Sequence, residues 1–219
     1  MKKLGLDTKH YLKIQKKQIL TRIKKFDSKL YLEFGGKLID DMHAARVLPG
    51  FDSDAKLQLL LQFKKDAEVI VVVNAQDVNN NKVRGDSNLS YQAEVERIIG
   101  QYRTIDLPVS GVVISMYEDT PKVKEFIRLL KHLNVKVYKH YKIEGYPSDI
   151  PKILSKDGLG KNEFVETKRK LVIVTAPGPG SGKMATCLSQ LYHENLKGVK
   201  AGYAKYETFP IWNLPLKHP

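Results

Sequence analysis

Hydrophobic residues in this chain follow two patterns that alternate. Short unbroken apolar runs, Ala67–Asn74 (AEVIVVVN), residues 111–115 (GVVIS) and Leu171–Thr175 (LVIVT), have no polar face. Continuous rather than alternating hydrophobicity predicts strands buried on both sides, as in the middle of a parallel sheet. Between these runs the apolar positions recur every three or four residues. Leu57, Leu60 and Leu61 mark residues 55–65, behind candidate N-caps at Asp52, Ser53 and Asp54; Tyr91, Val95, Ile98, Ile99 and Tyr102 mark residues 90–103. That spacing predicts amphipathic helices, and residues 121–133 and 184–195 read the same way. Residues 29–34, 135–140 and 199–203 are read as further strands, residues 40–50 as a short helix stopped by Pro49-Gly50, residues 75–90 as a long loop, and residues 144–161 as turn-rich.

Strands alternating with helices imply βαβ units and a mostly parallel sheet. The predicted fold is α/β: a doubly wound, Rossmann- or P-loop-like sheet with helices on both faces. The expected division is a basic N-terminal helix over residues 1–28, a phosphate-binding α/β domain over 29–205, and the start of a truncated C-terminal region over 206–219.

Charge changes this picture at one end. The chain of 219 residues carries 37 Lys and Arg against 24 Asp and Glu, a formal net charge of +13. Residues 1–30 hold ten basic side chains and two acidic ones, so more than half the surplus sits there. Leu12, Ile19, Ile23 and Phe26 share one helical face in the same segment. Such a helix is either a surface helix with lysines in water or a binding surface for nucleic acid or another polyanion. No stretch of eighteen apolar residues and no signal-peptide core is present, so a cytoplasmic protein without a membrane partner is expected. The single cysteine, Cys187, excludes an internal disulfide framework and speaks against a cysteine-based metal site.

The chemistry concentrates after the run at Leu171–Thr175. There the chain reads APGPGSGKM, a turn with three glycines ending in Lys183 and followed by a helical pattern. Strand, glycine turn, lysine and helix together form the layout of a phosphate-cradling loop, in which backbone N–H groups and the helix N-terminus face the anion. The spacing approaches G-x-x-x-x-G-K-[ST], with Pro177 at the first glycine position and Met184 at the hydroxyl position. The missing hydroxyl is the usual magnesium ligand, so the sequence points to phosphate binding more firmly than to phosphoryl transfer. Thr186 takes over that role only if the geometry shifts by about one helical step. Candidate ligand-binding residues are Gly178, Gly180, Ser181, Gly182 and Lys183, joined by Gly36 and Lys37 from a second glycine turn and by Arg84 from the long loop. Asn74, Asp77, Lys82, Ser115, Tyr117, His140 and Tyr141 also follow predicted strands. In open α/β sheets ligands sit beyond the carboxyl ends of the strands, where all of these converge. No spacing of His, Asp and Glu suggests a metal site, and no catalytic residue is assigned.

The blocks LYLEFGGKL, DDMHAARVLPGF, NAQDVNNNKVRGD, HYKIEGYPSDI, GLGKNEFVET, TAPGPGSGKMATCLSQLYHE and KAGYAKYETFPIWNLPLKHP resemble the N-terminal half of a conserved bacterial family whose domain is of unknown function. The resemblance covers essentially the whole chain and implies a full protein about twice as long. It also implies that a C-terminal half, or a homo-oligomeric partner, covers apolar residues such as Phe209 and Trp212. Some members are labelled ATP-dependent proteases, but no HExxH helix or catalytic triad stands in this sequence. The expected ligand is a phosphorylated small molecule, such as the nucleotide ATP.

Overall fold

The unbroken apolar runs become the centre of one sheet. In the computed structural model, which describes residues 7–26, 29–35, 38, 46 and 50–206, six strands are β1 (Lys29–Phe34), β2 (Ala67–Asn74), β3 (Val109–Ser115), β4 (Val137–Lys139), β5 (Leu171–Thr175) and β6 (Ala201–Tyr206). They pair in the order β4-β3-β2-β5-β1-β6, and each pair is parallel. Alternate residues of the same strand feed two cores. Leu30, Leu32, Val69, Val71, Leu171 and Ile173 enter the larger, while Tyr31, Ile70, Val72, Val172 and Val174 enter the smaller.

Seven α-helices are described: α1 (Thr8–Phe26), α2 (Ala55–Leu61), α3 (Ala75–Asn79), α4 (Tyr91–Thr104), α5 (Pro121–His132), α6 (Ile150–Ile153) and α7 (Lys183–Leu196). Helices α1, α2, α4 and α5 bury their apolar faces in the larger core, through Leu12, Leu59, Ile99 and Phe126 among others. On the opposite face α7 packs through Cys187 and Leu191. The chain moves from β1 through β2 and β3 to β4 in one direction, whereas β5 to β6 runs the other way. Right-handed crossovers therefore place the helices on opposite faces, giving a doubly wound α/β fold. The reversal falls between β2 and β5, so a crevice opens beyond their carboxyl ends.

Local chemistry sets the helix starts. The side chains of Asn74, Ser90 and Thr120 accept hydrogen bonds from the backbone N–H groups of Gln76, Ala93 and Val123, satisfying donors that the first helical turn leaves open. Asp54 makes no such cap; Asp52 instead accepts from Asp54 N at 2.9 Å and from Gln58 Nε2 at 2.8 Å. The Asn74 cap explains one departure from the sequence reading, because residues 75–90 open with α3 rather than running as loop throughout. The turn-rich segment likewise holds α6 and a 3₁₀ turn at Leu159–Lys161. Strand β4 has three residues rather than six, since it is an edge strand whose register with Val112–Ile114 covers only Val137–Lys139. The short helix read at residues 40–50 lies almost wholly outside the described residues. Along α1, Leu12 and Ile19 are buried while Lys9, Lys13, Lys17 and Arg22 are exposed. No described helix is long and apolar enough to cross a membrane.

A buried polar network fixes α7 on the sheet. Tyr31 Oη donates to Glu194 Oε1 at 2.8 Å, and Lys29 Nζ pairs with the same oxygen at 3.0 Å, with both charged side chains largely buried. Gln190 accepts from Val165 N at 2.9 Å and donates to Val165 O at 2.8 Å and to Tyr31 Oη at 3.2 Å. Burial next to Glu194 pushes the Tyr31 phenol pKa upward, so Tyr31 remains a donor. Removing one member of a buried ion pair leaves an uncompensated charge, at a cost of about 3–5 kcal/mol. Glu194→Ala is therefore expected to lower the urea midpoint by that order of stability, whereas Asp119→Ala, which breaks the exposed pair Lys124–Asp119, should leave the midpoint nearly unchanged.

Candidate functional site

The strand-to-helix turn between β5 and α7 stands over the crevice. Gly180 and Gly182 have φ of 73° and 87°, left-handed values that glycine adopts without the penalty a Cβ brings. Gly182 is the N-cap of α7, and no side chain caps the helix. The first helical bond runs from Thr186 N to Gly182 O at 2.9 Å, so the positive end of a fourteen-residue helix begins at Lys183.

Neighbouring strands hold this turn from below. Ser115 Oγ, at the end of β3, donates to Ser181 O at 2.7 Å, and Ser181 Oγ donates to Gly178 O at 2.7 Å. Asn74 Nδ2, at the end of β2, lies 3.5 Å from Gly180 O, and Arg84 Nη1 donates to the carbonyl of Pro177. Gly178 answers a second requirement, close approach: a Cβ there would stand 2.2 Å from the Tyr91 hydroxyl.

Two cavities meet at Gly180. One, of about 470 Å³, lies over the ends of β1, β5 and β6; its lining includes the loop from Ala176 to Gly180, with Lys183, Lys205 and Arg84 against the carboxylate of Glu33. The other, of about 330 Å³, lies over the ends of β2 and β3; Met116, Tyr141, Ile143 and Tyr146 give it apolar and aromatic walls, and Asn74, Ser115, His140 and Thr186 are among its polar residues. Both volumes fall in the range of about 300–1,000 Å³ common for small-molecule sites.

The sequence candidates divide between these spaces. Gly178, Gly180, Lys183 and Arg84 line the charged cavity, as does Gly35; Gly36 and Lys37 lie outside the described residues. Gly182 lines the apolar cavity. Ser181 is fully buried, its hydroxyl turned onto Gly178 O within the loop. The Arg84 guanidinium is bridged by both Asp86 oxygens at 3.0 and 3.1 Å and reaches Glu94 at 3.2 Å, which ties it to the scaffold around the loop. Lys82 pairs with Asp77 at 3.0 Å. Thr186 faces the apolar cavity rather than the one that Lys183 lines. It is fully buried, and its hydroxyl has no hydrogen-bond partner among the described residues. Burial also raises the Cys187 thiol well above its ordinary pKa, making it an inert core group.

Sequence reading missed Glu33, Lys205, Met116, Tyr146 and Asn162. Lys205 could have been found by extending the last strand beyond residue 203, which would have put it at the carboxyl edge. Met116 carries φ of 50° immediately after β3, a placement that no residue pattern announces. Among the described residues no group of three or more His, Cys, Asp or Glu side chains could hold a metal ion.

The model of the Domain of unknown function DUF1846, N-terminal, matches residues 4–219. A UPF0371 protein of Streptococcus pyogenes serotype M5 (strain Manfredo) is 50% identical over all 219 residues. A UPF0371 protein of Streptococcus equi subsp. equi (strain 4047) is 51% identical over the same length. The match takes in 100% of this chain and 44% of each relative, so the chain spans about half the length of the relatives it matches.

Burial gives the apolar cavity a measurable pH signature. His140 Nε2 lies 3.0 Å from Glu163 O; a carbonyl only accepts, so this nitrogen carries the proton. Desolvation holds the ring's pKa down at about 4, with His193 adding a smaller push the same way. The unfolded chain takes up this proton near pH 6.5 and the folded chain only near pH 4. The neutral ring's contribution is complete above pH 6.5 and is lost as pH falls between the two values, amounting to roughly 3 kcal/mol. Urea unfolding as a function of pH should show that loss, and His140→Gln should flatten the slope between pH 6.5 and 4.

Proposed function

The chain belongs to the DUF1846 family, matched through its N-terminal domain, and on that footing we propose that this domain binds a phosphorylated small molecule, a nucleotide such as ATP being the leading candidate, at the N-terminus of α7. The observation that carries the proposal is the helix end itself: fourteen residues long, capped by no side chain, and opening through a glycine turn where the strand order reverses. Backbone N–H groups at a helix start have no intrahelical acceptor and can turn to an anion, and the helix dipole favours negative charge. Lys183 and Lys205 supply charge at the wall of the same cavity.

The loop is already shaped before any ligand arrives. Ser115, Ser181 and Arg84 donate to the carbonyl groups of Ser181, Gly178 and Pro177 and so fix the course of the turn. Preorganisation of this kind reduces the ordering cost of binding. Met184 stands half exposed where a magnesium-binding hydroxyl would be needed. Phosphate affinity therefore rests on backbone and lysine contacts rather than on a metal bridge.

Calorimetric titration with pyrophosphate, ATP, ADP and GTP, each with and without Mg²⁺, tests this reading. Binding is expected for the wild-type chain and to depend little on Mg²⁺. A charge-assisted contact contributes about 1.5–3 kcal/mol, so Lys183→Ala should weaken it by about ten- to a hundredfold. Equal weak binding by wild type and variant would contradict the proposal.

A further inference from the structure

Resting on that reading, we propose that the ligand is a nucleotide whose nucleoside part occupies the 330 Å³ cavity while its phosphates lie at the glycine turn, and that Thr186 is the residue that selects for the nucleoside. The two cavities touch at Gly180. A molecule that is anionic at one end and uncharged at the other can thus span both without leaving the helix N-terminus.

The apolar cavity favours an uncharged, flat group. Met116, Ile143, Tyr141 and Tyr146 supply apolar and aromatic surface. The Tyr141 ring is steadied by an edge contact with Tyr117, centroids 5.8 Å apart, and by Lys161 Nζ at 4.8 Å from its centroid. Aromatic walls of this kind stack on base or sugar faces, and stacking on a base contributes about 1–3 kcal/mol in single-stranded nucleic-acid complexes. One lysine, Lys142, stands on the lining of this cavity, against Lys183, Lys205 and Arg84 on the other, so the larger share of positive charge faces the phosphates at the glycine turn.

Thr186 supplies the polar requirement. Its side chain is fully buried, its hydroxyl has no partner among the described residues, and it lines the apolar cavity one turn into α7 from the Gly182 cap. A helical threonine ordinarily satisfies its hydroxyl on a carbonyl three or four residues earlier. Here that bond is absent, and a buried hydroxyl without a partner is a cost that a ligand hydroxyl or ring nitrogen would remove. Ser115 and Asn74, by contrast, donate to loop carbonyls, so their side-chain donors are already engaged.

The test compares pyrophosphate and ATP on wild type, Thr186→Val and Thr186→Ser. Valine keeps the shape and deletes the hydroxyl, so the fold should be as stable as wild type or more stable in thermal unfolding. ATP is expected to bind wild type more tightly than pyrophosphate does. Thr186→Val should weaken ATP about three- to tenfold, leave pyrophosphate within about twofold, and Thr186→Ser should restore ATP affinity. If pyrophosphate shows no Lys183-dependent binding, the phosphate site itself fails. If pyrophosphate binds but ATP gains nothing over it, or if the valine variant weakens both ligands equally or neither, the nucleoside assignment is overturned.

Discussion

Everything at the carboxyl edge depends on how α7 is fixed. Its far end is tied to the sheet by the buried Glu194, which Tyr31 and Lys29 of β1 both reach. Its near end is approached through a turn whose carbonyls accept from Ser115 and Arg84. A helix presents its dipole and its open N–H groups only as accurately as its axis is held. The network therefore acts on the site from more than a helix turn away: the cost of burying a carboxylate is offset by well-placed partners, and the result is a rigid N-terminus over the place where strand order reverses.

The same constraint accounts for the division of the site. Strands moving in opposite directions from the β2/β5 boundary leave different elements on each side of the turn. Toward β1 and β6 the strand ends bring Glu33 and Lys205 to a charged wall; toward β3 and β4 they bring Ser115, Met116 and the aromatic segment around Tyr141. Most of the charge falls on one side and most of the apolar surface, with Lys142 beside it, on the other, because topology sends unlike strand ends to unlike sides. Gly178 and Gly182 let the turn sit between them, the first by yielding to Tyr91 and the second by adopting a left-handed cap close to Ser115.

Much of this was legible in sequence. Three unbroken apolar runs have no polar face, and each forms a central strand; the buried side read on residues 90–103 is the side that packs. The glycine turn was recognisable because strand, glycine, lysine and helix follow one another without a gap. What escaped depended on distant partners. Asn74 was read as a polar residue after a strand, yet its capping role creates α3 within an apparent loop. Arg84, read as a candidate phosphate donor, lines the charged cavity with Asp86 two residues away, and only the fold adds Glu94 and Pro177 around it. The two-cavity arrangement was hidden for the same reason, since strand order cannot be read from hydrophobic period.

Backbone amide resonances report most directly on the central claim, that the α7 N-terminus is the anion site. In a ¹H–¹⁵N titration of the chain with pyrophosphate at moderate salt, the largest saturable shifts are predicted at Gly178, Gly180, Gly182, Lys183 and Met184. Shifts confined to Lys9, Lys13, Lys17 and Arg22 of the basic helix, with the glycine turn unmoved, would contradict it.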